Sequence, residues 1–147
     1  MGIEAGALAD FVAVLDEHFT REHFRLAPAR TLPAGVQRVY QRGSRLGDVL
    51  IGGSGLDTFT KRVGPLSVRG VVVVAAEPTG AGTARVTIAL VGGFDLDTLV
   101  MRAVDESITG AGARGIHPVA DEGWSAANTL PESSPAHPQT AHALGLH

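Results

Sequence analysis

The sequence predicts an α+β fold: a four-stranded antiparallel, curved meander sheet with an N-terminal and a C-terminal helix on one face, in the order α-β-β-β-β-α. Three observations carry this reading. Apolar residues recur at helical spacing near both ends of residues 1–116. A β-branched run, Val71–Val74, lies between them. Strict alternation follows at Thr83–Val91, after a connection rich in Pro and Gly.

The first helix is expected at about residues 4–25. Leu8, Phe11, Val12, Leu15 and Phe19 form one stripe, with Asp10, Asp16 and Glu17 off it. The helix should end before Pro28, because the residue preceding a proline is steered away from helical geometry. Ala29–Gly35 reads as a connection. Val36–Arg42 is short and polar, which suits an edge strand. Asp48–Lys61 is a longer strand candidate, interrupted by Gly52, Gly53 and Gly55, which mark a bulge or bend.

Leu66–Glu77 carries the valine run expected of a central strand. It pairs as a hairpin with Thr83–Val91, whose Val86, Ile88 and Leu90 share a face. Asp95 is a plausible N-cap for a second helix, striped by Leu96, Leu99, Val100, Ala103, Val104 and Ile108. Gly110 reads as its stop.

Residues 1–116 are therefore read as a single α+β domain. Residues 117–147 are read as a Pro/Ala/His-rich tail, partly docked near Trp124 and disordered beyond about 131.

Composition narrows the function classes. The chain has no cysteine, so disulfides, thiolate nucleophiles and cysteine-held zinc are excluded. No segment offers the ~20 apolar residues that span a bilayer. Residues 1–10 lack a basic start and an apolar run, so a cytoplasmic location is expected. Abundant Ala, Gly and Val, with Lys61 the only lysine, suggest the coding bias of a GC-rich bacterial genome.

Motifs that spell chemistry fail on spacing or context. His18 and His23 are five apart, about 140° around a helix, which no helical metal pair tolerates. Gly52-Gly53-Ser54-Gly55 lacks the second glycine of a nucleophile elbow, because Leu56 stands there. The glycines from Gly110 to Gly115 follow a helix, whereas a dinucleotide fingerprint must precede one. His117, Asp121 and Glu122 lie close in sequence, but nothing makes them converge. No catalytic residue, metal ligand or cofactor is assigned, and the reading leans away from an enzyme.

The arginines are the unusual feature. Arg21, Arg25, Arg30, Arg38, Arg42 and Arg45 stand within 25 residues against Glu22 alone. In an extended Val36–Arg42, Arg38, Tyr40 and Arg42 line one face. The acidic first helix offers internal partners for it. The candidate binding residues are Arg38, Tyr40, Arg42, Arg45 and Trp124. The leading expectation is a small interaction or assembly module, binding a protein partner or a second copy through this strand and the tail. The net charge of -3 argues against nucleic acid, and no membrane partner is expected.

From Leu66 to Ile108 the outline of two long strands, a glycine-rich turn and a long helix is similar to the helix-grip lipid- and polyketide-binding families. The likeness covers under half of the chain. The alternative expectation is accordingly a helix-grip-like binder of a hydrophobic small molecule, or a small enzyme, with a pocket between sheet and C-terminal helix lined by Val72, Val74, Val86, Ile88, Leu99 and Tyr40.

Overall fold

A computed structural model describes residues 1–27, 32–43, 69–80, 82–120 and 123–146. In chain order the elements are β1 (Gly2–Glu4), α1 (Leu8–Arg21), β2 (Arg25–Leu26), β3 (Val36–Arg42), β4 (Gly70–Gly80), β5 (Thr83–Gly92), α2 (Asp97–Ala113) and α3 (Pro138–Ala143). The α+β class with an antiparallel sheet holds. The sheet has five strands rather than four, in the order β1-β5-β4-β3-β2. The expected strand at Asp48–Lys61 lies outside the described residues, as does Arg45.

The difference comes from both ends of the first helix. The expected span of about 4–25 contains a helix only from Leu8 to Arg21. Gly2–Glu4 instead extends the sheet, pairing with Thr83–Arg85 at one edge. Past Arg21, His23 adopts a positive φ of 64° and turns the chain. Arg25 and Leu26 then pair with Gln41 and Tyr40 at the opposite edge. β3 is thus second from the edge, flanked by β2 and β4. The helix α1 crosses one face of the sheet from its β1 edge to its β2 edge.

The hairpin of β4 and β5 pairs from Val71↔Gly92 to Gly80↔Thr83, in one register from Val72↔Leu90 to Pro78↔Ala84 and with a shift at each end. Val71 to Val74 are all at least 97% buried. Alternation sends Val72 and Val74 to one face and Val71 and Val73 to the other. The first face packs with Phe11, Leu15 and Phe19 of α1 and with Val100, Ala103 and Val104 of α2. Both long helices therefore sit on one side, and three contacts tie them together. Arg114 binds Glu17 (2.8 Å), Arg102 binds Glu22 (2.6 Å) and His18 Nδ1 lies 3.2 Å from Glu106. Each fully buried valine or leucine on this face stabilises by roughly 1.5–3 kcal/mol.

The second face meets the end of the chain. Val36, Val39, Val71, Val73, Ala75 and Ala89 pack with Ala136, Ala141 and Leu146, flanked by Ala127 and Leu130. A Gly2↔Val119 bridge carries the chain past the β1 edge on its way there.

The turn into α2 explains one glycine. Gly93 has φ of +78°, and a Cβ there would run into the Arg69 carbonyl. The helix is not capped by Asp95, since Leu96 holds the N-cap position. Asp97 Oδ1 accepts the Thr98 amide at 2.6 Å instead. Nor does Gly110 stop it; the helix continues to Ala113.

Candidate functional site

The arginine strand points inward. Arg38, Tyr40 and Arg42 share the face of β3 turned towards α1, and each meets a specific partner. The Tyr40 hydroxyl donates to Asp16 Oδ1 at 2.6 Å, and Arg38 Nε lies 3.4 Å from Asp16 Oδ2. Tyr40 stacks on Phe19 (4.5 Å, 13°), and Phe19 meets Phe24 edge-on at 5.4 Å. The Arg42 guanidinium lies 5.9 Å from the Phe24 ring centre, within cation–π range. Burial pushes the Tyr40 pKa upward, reinforced by its bond to Asp16. Burial pulls the Arg42 pKa down, against the opposing charge of Glu22.

Tyr40 and Arg42 are 2% and 4% exposed, so of these three only Arg38 offers surface to a partner. Trp124 is remote from them in the fold, because β3 and β5 are separated by β4. The face of Arg38, Tyr40 and Arg42 and the Trp124 segment are two places, not one.

The second place is a cleft of about 1230 Å³ at the β5 edge. It arises because β1 is short. Only Thr83, Ala84 and Arg85 of β5 pair with it, and Val86 exchanges bonds with Met1 (Val86 N–H to Met1 O, 2.7 Å). From Thr87 to Gly92 no strand lies on the outer side of β5 among the described residues.

The backbone there has a definite polarity. Val86 turns its N–H and C=O outward, to Met1. Antiparallel pairing alternates, so Ile88 and Leu90, opposite Val74 and Val72, also point theirs outward. Thr87 and Ala89 give theirs to β4.

The cleft wraps around this edge in two lobes. On one side Val86, Ile88 and Leu90 face Val100, Met101, Val104 and Ile108 of α2. On the other, Ala89 faces Ala127, Leu130 and His137 of the end segment. Trp124 and Met101, 47% and 36% exposed, line the cleft where it opens to solvent. Its charged lining is Asp97, Asp105 and Glu132 against Arg85.

Trp124 was legible in the sequence as a binding candidate, whereas Ile88, Leu90 and His137 as edge and wall were not. Their role depends on where β1 stops pairing, which no local pattern encodes. Of the residues expected to line a small-molecule pocket, Val86 and Ile88 line this cleft. Val72, Val74 and Tyr40 are packed in the core, with Leu99 against it.

Among the described residues no group of three or more His, Asp or Glu side chains could hold a metal ion. No helix is long and apolar enough to cross a membrane. Compared with family models, curated proteins and solved structures, the chain finds no match.

Proposed function

We propose that this protein is a non-enzymatic interaction module that takes an extended segment of a protein partner, or of a second copy, as an added strand on the outer edge of β5. The observation that carries it is the pair of outward backbone positions at Ile88 and Leu90, set in a cleft with apolar walls. An extended chain is the natural complement of such an edge: its backbone bonds supply affinity, and pockets for alternate side chains supply selectivity. Sheets ordinarily cover or blunt a free edge, because it is a template for pairing. Here, among the described residues, the edge is walled by α2 and the Trp124 segment rather than covered.

The reading keeps an edge strand and Trp124 as the binding elements and moves the edge from β3 to β5. Arg38 remains available at the far side of the sheet. Tyr40 and Arg42 serve the core, which lends the arginine strand less support as the docking surface.

The test uses peptides selected from a displayed random library against the whole chain, with the fluorescence of Trp124, the only tryptophan, as readout. N-methylation at alternate residues should abolish binding in one register and spare it in the other. Tolerance of N-methylation in both registers would remove the strand-addition reading.

The helix-side lobe also supports a second reading, a hydrophobic small molecule held between Val86, Ile88 and α2. An uncharged apolar dye that binds in this lobe and is not displaced by the selected peptides would favour it.

A further inference from the structure

We infer that the occupant of the cleft is an extended segment of a different protein that runs antiparallel to β5 and carries basic residues ahead of its apolar ones. This rests on the strand-addition reading above. The cleft is uneven in charge: Asp97, Asp105 and Glu132 line it against Arg85 alone. The three acidic residues are exposed, and none of them makes an ion pair among the described residues.

The path of the chain puts these charges in order along the edge. Asp97 opens α2 just after β5 ends at Gly92. The helix then returns along β5, and past its end Val119 bridges Gly2, which pairs with Arg85. Asp97 therefore stands at the Gly92 end of the edge and Arg85 at the β1 end. Asp105 lies between them, about 12 Å along the helix axis from Asp97. Glu132 adds its charge from the opposite wall.

Direction follows from the sheet. Every strand pair in it is antiparallel, and an antiparallel ladder is the more stable per residue. An antiparallel occupant enters at the Gly92 end and stops short of Val86, where Met1 already takes the edge. Its first residues lie beside Asp97 and Asp105, which select basic side chains, and its last approach Arg85, which repels them. Between the two, apolar side chains on alternate residues meet Met101, Val104 and Ile108 of α2. The β5 of a second copy also has its base first, at Arg85, but it comes flanked by its own α2 and Trp124 segment. Those would have to share the space that the walls of the first copy already border, a conflict that a bare extended segment does not have.

Two N-acetylated, C-amidated peptides of one composition test this. Both alternate Leu with Ala; one has a pair of lysines before the alternation and the other has the pair after it. Titration against the whole chain, followed by Trp124 fluorescence, should show the lysine-first peptide binding about fivefold tighter, the effect of one or two exposed ion pairs. In about 1 M salt, which screens charges beyond roughly 3 Å, the two affinities should converge. Asp97→Asn combined with Asp105→Asn should remove the preference and leave lysine-last binding within about twofold. Asn at 97 keeps a side-chain oxygen for the Thr98 amide, and the salt series decides the question even if the variant does not fold. Light scattering should find the free chain monomeric. Equal affinity of the wild type for both peptides, tighter binding of the lysine-last peptide, or a preference that survives salt overturns the inference and leaves strand addition standing. A dimer that the lysine-first peptide dissociates gives the edge to a second copy and likewise overturns only the inference. Binding of neither peptide overturns both.

Discussion

Asp16 is the residue on which the β3–α1 contact turns. Its two carboxylate oxygens take Tyr40 and Arg38 separately. The sequence showed that Arg38, Tyr40 and Arg42 would share a strand face and that the acidic first helix could neutralise it. Which carboxylate would stand over the face was not legible, because that depends on how α1 crosses the sheet. Tyr40→Phe should cost about 1.5–3 kcal/mol in denaturant unfolding at pH 8, since the lost bond is to a charged group in a buried site. The pH dependence has a definite sign. The folded-state pKa of Tyr40 is raised above the ordinary value of 10.0. Its contribution is therefore fully present below about pH 10 and is lost as pH rises, because the unfolded phenol ionises first. Stability should fall by about 1.4 kcal/mol per pH unit above pH 10 from this residue alone. The Phe variant should show a shallower alkaline slope over the same range. An equal slope in both proteins would mean that Tyr40 ionises freely in the folded state.

At the scale of elements, those built on long, strongly patterned runs were legible. The stripe from Leu8 to Phe19, the valine run at Val71–Val74 and the alternation at Val86–Leu90 each correspond to a helix or strand of the structure. The missing elements are the ones with no pattern of their own. β1 has three residues and β2 has two, too few to show a period of two. Both are strands only because a partner strand offers them backbone bonds. The hydrophobic stripe also overstates a helix at its ends: the apolar pattern of the first helix does not register that Glu4 lies in a strand or that His23 turns the chain. The cap at α2 has a similar cause. Asp95 is a good cap residue by type, but it falls inside the short 3-10 turn Phe94–Leu96 that follows Gly93, so the N-cap position passes to Leu96 and no side chain caps the helix.

The whole molecule is a sheet with two different covers. Two long helices cover one face, and residues 127–146 lie on the other with small side chains, chiefly Ala136 and Ala141. That thin cover still shields Val73, which has no exposed surface. Removing residues 127–147 should therefore lower unfolding stability by at least about 2 kcal/mol, the scale of re-exposing one buried valine, and should raise binding of an apolar dye. An unchanged denaturation midpoint would show that the second face does not depend on this segment. The same segment forms one wall of the cleft, so the cover of the sheet and the selectivity proposed for it are one structure. All of this depends on the outer edge of β5 being unpaired beyond Val86. Amide hydrogen exchange, resolved by residue in the free chain, tests it most directly. Ile88 and Leu90 should exchange at least about 100-fold faster than Thr87 and Ala89, whose amides are held by β4, and a bound peptide should close that gap. Equal protection of all four amides in the free chain would show that the edge is already occupied, and would contradict the account.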